Sequence, residues 1–258
     1  MDLSLSNTSY KVKRYGLIGF PLGHSFSQRF FAEKFEREGR SDCRYDNFPL
    51  GSIEEIESLV AEMPDLQGFN ITIPYKQDIF PYLDEVDLEA EAVGAVNCVK
   101  IDRAGATPRL IGYNTDAYGF RRSLEQMLGD KRPDALILGT GGASRAVEHV
   151  LDEMGIDWEK ISRRPSTGIL SYTELPDGLL LRSRLVINTT PLGTFPDVDS
   201  KPRMHYEVIG RCHFLHDLVY NPAETLFMKE GRLRGATVKN GLQMLIGQAE
   251  RSWEIWNE

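Results

Sequence analysis

Ser25 and Ser27 flank Phe26 just after a short apolar run at 15–19. Asn70 and Thr72 alternate along Gly68-Phe69-Asn70-Ile71-Thr72-Ile73-Pro74, so an extended backbone points both side chains the same way. Lys76 follows that proline, Asn97 closes Gly94-Ala95-Val96-Asn97, and Asn114-Thr115-Asp116 comes near the middle of the chain. Hydroxyls, amides, one ammonium and one carboxylate are the groups that hold a small polyhydroxylated acid. Taken singly, each residue also has a structural use: Ser27 as a helix cap, Asn70 satisfying a turn, Lys76 as a solvated lysine.

A second constellation is Leu136-Ile137-Leu138-Gly139-Thr140-Gly141-Gly142-Ala143-Ser144-Arg145, an apolar strand, a glycine-rich turn and a helix start. Glycines let the backbone approach a pyrophosphate, and a helix start offers free N–H groups and the positive end of a dipole. Ser144 stands where the dinucleotide fingerprint has its third glycine, still small enough for close helix–strand packing. The next strand, at 158–162, ends in Ser162-Arg163-Arg164 with no carboxylate to accept from a ribose 2′-hydroxyl. Two guanidiniums there suit a 2′-phosphate, one pairing with it and one stacking on adenine, which favours NADP over NAD. A tight connection without ligand, its arginines merely solvating the strand end, is the structural alternative.

The elements that must position these groups alternate along the chain as short apolar runs and amphipathic stretches, the pattern of βαβ units in an open parallel sheet. Strands are expected at 15–19, 68–73, 96–101, 109–112, 135–138, 158–162, 185–188, 214–219 and 236–238, with a hairpin turn at 102–105. Helices are expected from Ser27 as N-cap to Gly39, and at 53–63, 115–128, 143–154 and 242–256.

The 258 residues carry 30 Lys+Arg against 38 Asp+Glu, a formal charge of -8. That balance argues against a general nucleic-acid binder. The three cysteines are scattered, which argues against a disulfide framework and for a reducing compartment. Cys212 with His205 and His216 lacks the ligand spacing of a metal cluster, so no metal is expected. The first fifteen residues lack the apolar run of a signal peptide, and no stretch reaches the ~18 apolar residues of a membrane span. The expectation is a cytoplasmic protein without membrane partners.

Together the motifs resemble the shikimate dehydrogenase family over nearly the whole chain. Gly19-Phe20-Pro21-Leu22-Gly23-His24-Ser25-Phe26-Ser27 is similar to its substrate-binding G-x-P-x-x-H-S-x-S, and Gly68 to Lys76 matches its G-x-N-[VI]-T-x-P-x-K. Gly112-Tyr113-Asn114-Thr115-Asp116-Ala117-Tyr118-Gly119-Phe120 matches G-x-N-T-D-x-x-G-F, and Gly139 to Arg145 matches G-x-G-G-[AS]-[AS]-R. Asp217-Leu218-Val219-Tyr220-Asn221-Pro222 and Asn240-Gly241-Leu242-Gln243-Met244-Leu245 with Gln248-Ala249 complete the set. Departures are Gln28 for the usual Pro, Thr194 for the usual Met after Gly193, and Ser162-Arg163-Arg164 for N-R-T.

The resemblance implies an α/β fold of two domains. The first is a substrate domain, 1–115, completed by a returning C-terminal helix, 242–258; the second is a Rossmann-type dinucleotide domain, 116–241. It implies NADP-dependent interconversion of 3-dehydroshikimate and shikimate in aromatic amino-acid biosynthesis, by a monomer or homodimer. Lys76 and Asp116 are the implied catalytic pair, with the formal acid/base left open. Ser25, Ser27 and Thr72 would take the substrate carboxylate and nearby hydroxyls; Asn70, Asn97, Gln248 and Tyr220 would complete its pocket. Gly139, Thr140, Gly141, Gly142, Ala143, Ser162, Arg163, Arg164, Thr189, Gly241 and Met244 would line the cofactor site. Rival readings are a quinate/shikimate dehydrogenase using NAD or both cofactors, a tetrahydrofolate-linked dehydrogenase of the same plan, and a silent paralogue that senses the pathway's metabolites. The last could dispense with Lys76 or Asp116, and both are present.

Overall fold

A computed structural model of the chain describes residues 12–23 and 26–258. The chain divides into two units: residues up to Glu91 with Val96–Tyr113 and Glu254–Glu258, and Ala92–Ala95 with Asn114–Trp253.

The first unit runs β1 (Lys13–Gly19), α1 (Phe26–Arg37), β2 (Cys43–Pro49), α2 (Ile56–Glu62), β3 (Leu66–Ile71), β4 (Glu85–Val86), α3 (Leu88–Val93), β5 (Cys98–Asp102) and β6 (Arg109–Tyr113). Its six-stranded sheet has the order β2-β1-β3-β5-β6-β4. The parallel pairing expected from the alternation appears here together with the expected hairpin. β1 pairs in parallel with β2 and β3, while β5 runs antiparallel to β3 and, across the 102–105 turn, antiparallel to β6. Ser27 is not the cap of α1: the helix already begins at Phe26, so Ser27 lies in its first turn, buried. Gly39 stops that helix as expected, at φ +66, with Arg40 N–H closing on Phe35 O at 2.8 Å. The helix expected at 53–63 begins as a 3-10 turn, Ile53–Glu55, where Ser52 and Glu55 form a reciprocal capping box.

The second unit runs α4 (Thr115–Leu128), β7 (Ala135–Leu138), α5 (Gly142–Glu153), β8 (Trp158–Ser162), β9 (Ile169–Ser171), α6 (Asp177–Arg182), β10 (Leu185–Asn188), β11 (Phe214–Asp217), α7 (Leu226–Leu233), β12 (Thr237–Lys239) and α8 (Leu242–Asn257). The sheet order is β12-β11-β10-β7-β8-β9, and every pairing is parallel. Parallel strands covered on both faces read as continuous apolar runs. β7 shows why: Ala135 and Ile137 enter one core cluster with Phe120 and Val147, while Leu136 and Leu138 enter another with Leu180 and Phe227. From β7 the chain builds outward through β8 and β9, then returns to β10 on the other side. The order therefore reverses between β7 and β10, where doubly wound sheets open a ligand crevice at their strand ends.

The division departs from the expected one. It falls at 113/114 rather than 115/116, and Leu242–Trp253 groups with the second unit, leaving only Glu254–Glu258 with the first. The cause is close packing of α8 on α4. A Cβ on Gly119 would stand 2.4 Å from Met244 O, and the Thr115 hydroxyl meets Ser252 Oγ at 3.2 Å. In the first unit, Trp256 stacks on Tyr15 at 4.9 Å and its Nε1–H donates to Val99 O at 3.0 Å. Gly68 lies beneath that indole: a Cβ there would be 2.4 Å from it.

Candidate functional site

In the first unit the candidate substrate residues gather where β1 and β3 end. Asn70 is the penultimate residue of β3 and only 4% exposed. Its Oδ1 accepts from Tyr45 Oη at 2.9 Å, and its Nδ2 donates to Asn97 O at 3.1 Å. Asn97 is buried too, with its N–H on Tyr113 O at 3.1 Å. Ser27 hydrogen-bonds the same Tyr45 phenol, whose burial raises its pKa well above the ordinary range, so it stays protonated. Thr72, half-buried, donates its N–H to Ile18 O at 2.9 Å, and Phe20 N–H reaches Ile73 O at 3.1 Å. These bonds stitch the loop after β1 to the loop after β3. Gly19 permits the approach, since a Cβ there would be 2.5 Å from Thr72 Cγ2. Lys76 is half-buried in the turn after Pro74 and its carbonyl accepts from Val96 N–H at 2.8 Å. Ser25 lies outside the described residues.

Tyr45 was not singled out by sequence. It sits in β2, a polar strand without clear alternation, and stacks on Phe31 at 4.5 Å. Only the pairing of β2 with β1 brings it to Asn70.

Asp116 occupies the first turn of α4, where the Asn114 side chain caps Ala117 N–H at 3.0 Å. A carboxylate in that position suits the helix dipole. Gln248, on α8, is buried; its Nε2 donates to Leu245 O at 3.0 Å and its Oε1 lies 3.5 Å from the Thr115 hydroxyl. Tyr220 is 37% exposed, in the loop after β11.

The glycine loop stands at the reversal of the second sheet. Gly139, at φ +115, follows β7, and a Cβ on it would meet Thr189 Oγ1 at 2.7 Å. Thr189 holds that position by donating both its N–H and its hydroxyl to Leu138 O, each at 2.9 Å. Gly141 caps α5, and a Cβ on Gly141 or Gly142 would meet nothing within 4 Å, which leaves room for a ligand against the helix start. Ser144 packs back through its hydroxyl onto Gly141 O at 2.8 Å. A cavity of about 320 Å³ opens here, lined by Gly139, Thr140, Gly141, Ser162, Arg163 and Thr189 together with Tyr172, Thr190, Pro191 and Leu192.

Gly142, Ala143, Arg164, Gly241 and Met244 are not in that wall. Arg164 instead donates its backbone N–H to Ser162 Oγ at 3.1 Å. Met244 is buried in the core cluster of α4 and α5. Gly241 is required by packing, because a Cβ would lie 2.1 Å from Leu218 O. The open glycine cradle, the exposed Arg163 and the absence of a carboxylate at the end of β8 fit a dinucleotide bearing a 2′-phosphate.

A parallel sheet with this loop at its reversal, in a chain whose other unit carries buried amides and hydroxyls, is the build of a dinucleotide-binding α/β protein with its own substrate unit. Residues 17–99 match the family model described as the shikimate dehydrogenase substrate binding domain. The shikimate dehydrogenase (NADP(+)) of Methanococcus maripaludis is 39% identical over 95% of this chain and 92% of its own length. The crystal structure of shikimate 5-dehydrogenase from Thermus thermophilus, in complex with NADP(H) and shikimate, superposes with a TM-score of 0.80 at 31% identity, covering 95% of this chain and 93% of that one. The chain belongs to the shikimate dehydrogenase family. A ligand-free 5-ketofructose reductase from a Gluconobacter species shares the fold, with a TM-score of 0.81 at 26% identity over 95% of this chain and 92% of that one. No helix among the described residues is long and apolar enough to cross a membrane.

Proposed function

We infer that the chain catalyses the reversible NADPH-dependent reduction of 3-dehydroshikimate to shikimate. The observation that carries this is the buried hydrogen-bonded set Ser27, Tyr45, Asn70 and Asn97 in a chain that also holds Lys76, Asp116 and the glycine cradle. Bound NADPH supplies the hydride to the carbonyl carbon. The oxygen must then gain a proton, and Lys76 is the residue proposed to stabilise the developing alkoxide and deliver or relay that proton. Asp116 holds the substrate hydroxyls and, with Lys76, the proton path. Ser25, Ser27 and Thr72 receive the carboxylate and neighbouring hydroxyls, while Asn70, Asn97 and Gln248 read the ring hydroxyls. Tyr220 closes the nicotinamide side.

Gly139, Thr140, Gly141, Gly142 and Ala143 take the pyrophosphate, Arg163 the 2′-phosphate, Arg164 the adenine face. Ser162 and Thr189 shape the wall, and Gly241 and Met244 support the nicotinamide end through packing. A chain of this kind works as a monomer or homodimer in the cytoplasm, with small-molecule partners only.

The test follows NADPH absorbance with purified protein, crossing shikimate and quinate with NADP⁺ and NAD⁺, with Lys76→Ala as control. Turnover of shikimate with NADP⁺, lost in Lys76→Ala, is expected. Comparable turnover of quinate or use of NAD⁺ would move the chain to the broader quinate/shikimate group. Silence in every combination, with calorimetry still registering shikimate binding, would sink the enzyme reading in favour of a sensor. The likeness to a 5-ketofructose reductase supports a second reading, reduction of another polyhydroxylated ketone, which the same assay checks with 5-ketofructose and NADPH.

A further inference from the structure

We propose that Tyr172 is a cofactor-selecting residue, its phenol donating a hydrogen bond to the 2′-phosphate that separates NADP from NAD. This rests on the cofactor reading above and adds to it a residue that no glycine-loop or strand-end motif contains.

The placement comes from sheet register. β8 and β9 run parallel, with Ser162 opposite Ser171 as the last pair. One residue further on, the two strands deliver Arg163 and Tyr172 side by side. They leave the sheet at its carboxyl end, the edge at which open α/β sheets bind ligands. Both residues line the cavity that holds Gly139 and Gly141. They also share the wall of a larger neighbouring cavity of about 1020 Å³.

The chemistry of the pair is complementary. Arg163 is exposed, and its guanidinium forms no ion pair among the described residues. An exposed, flexible guanidinium supplies charge but little fixed geometry. Tyr172 is the opposite: its hydroxyl is shielded from solvent and meets no hydrogen-bond partner among the described residues. A buried donor left unmade carries a standing penalty, which an incoming acceptor relieves. Burial pushes this phenol up to about 12, against the opposing pull of the Arg163 charge, so at neutral pH it is a donor. A phosphate dianion is an acceptor at every oxygen. The ribose 2′-hydroxyl of NAD is a far weaker one, and it carries no charge for Arg163 to bring in.

The position also fits what the strand end lacks. Arg164, the second guanidinium of the motif, is not in the cavity wall. With Arg163 the one guanidinium of the pair in that wall, a second donor comes from elsewhere in the chain, and the residue just beyond β9 supplies it.

Calorimetric titration of the full chain with NADP⁺ and with NAD⁺ tests this, using the unaltered protein, Tyr172→Phe and Arg163→Gln. Tyr172→Phe is expected to weaken NADP⁺ binding about tenfold, the equivalent of one good hydrogen bond to a charged acceptor, and to leave NAD⁺ within about twofold. Arg163→Gln is expected to narrow the preference by a similar or larger factor. If Tyr172→Phe retains the full preference, or weakens both dinucleotides equally, the Tyr172 assignment is wrong while the cofactor reading stands. If the unaltered chain binds NAD⁺ as tightly as NADP⁺, the cofactor reading fails and takes the assignment with it. A crystal structure of the unaltered chain with NADP⁺ decides without any variant. The phenol oxygen within hydrogen-bond distance of the 2′-phosphate supports the assignment, and a phenol bonded elsewhere overturns it.

Discussion

The phenol of Tyr45 donates to Asn70 Oδ1 at 2.9 Å, and the same amide donates through Nδ2 to Asn97 O at 3.1 Å. A backbone carbonyl can only accept, so Asn97 fixes which end of the amide is nitrogen and Tyr45 locks the other end. Ser27 reaches the same hydroxyl. Tyr45 thus orders two proposed substrate contacts from behind, which makes it a positioning residue. Tyr45→Phe keeps the stack on Phe31 and deletes one oxygen. The expected result is a KM for shikimate raised about tenfold, with kcat and the KM for NADP⁺ changed less than about threefold. Urea unfolding should register a loss of about 1–2 kcal/mol. An unchanged KM beside that stability loss would reduce Tyr45 to a packing role.

Gly139 and Gly141 belong to one loop but answer to different constraints. Gly139 stands at φ +115 with Thr189 Oγ1 where a Cβ would come to 2.7 Å, whereas a Cβ on Gly141 would meet open space. Gly139→Ala should therefore cost about 1–3 kcal/mol of stability through strain and displacement of Thr189. Gly141→Ala should leave the urea midpoint nearly in place and weaken NADP⁺ binding alone, because the methyl group occupies ligand space. Equal stability losses in the two variants would show that the second glycine is structural after all.

The same contrast explains what could be read from the chain. α4, β7, β8 and β10 fall on their expected residues because local signals agree there: Asn114 as a side-chain cap, apolar runs for doubly covered strands, Pro133 ahead of β7. The glycine loop was legible for its backbone chemistry. β2, β9, α3, α6 and α7 were not, being short or carrying mixed polarity without a clear period. Tyr45 and Tyr172 went unseen for a related reason. Each is an ordinary tyrosine on a poorly patterned strand or just beyond one, and only strand register brings it beside Asn70 or Arg163. Met244 shows the converse: its place in a motif suggested a cofactor contact, and its burial is that of a core residue.

Gly68 offers a test of packing independent of the chemistry. A Cβ on it would be 2.4 Å from the Trp256 indole and 2.7 Å from Val99 O, the atom that accepts from that indole. Gly68→Ala is expected to destabilise by about 1–3 kcal/mol through overpacking. Adding the same change to a Trp256→Leu protein should cost less, since the colliding ring is gone. A double-mutant cycle in urea reads the difference, and strict additivity would mean that the indole is not what forbids the methyl group.

His216 and Asp217 are neighbours at the end of β11, both fully buried, and they push stability in opposite directions with pH. Burial, with the Lys239 charge in support, lowers His216 to about 3, so it is held neutral against Ser123 Oγ at 2.9 Å. Between about 3 and 6.5 the unfolded chain binds a proton that the native imidazole refuses. Its contribution is therefore lost as pH falls through that range. Burial also raises Asp217 to about 6, despite donors from Thr225, Val219 and Asn188. There the native state keeps a proton that the unfolded chain has released, so this contribution is lost as pH rises from about 3.8 to 6. Across pH 4 to 6 the two slopes offset each other. His216→Gln keeps a partner for Ser123 and removes one slope, so the variant should lose stability as pH rises from 4 to 6 while the unaltered chain stays nearly level. At pH 5 the removed contribution is roughly 2 kcal/mol. Urea unfolding at half-unit pH steps measures both curves, and parallel curves for variant and unaltered chain would show that His216 takes up its proton without cost to the fold.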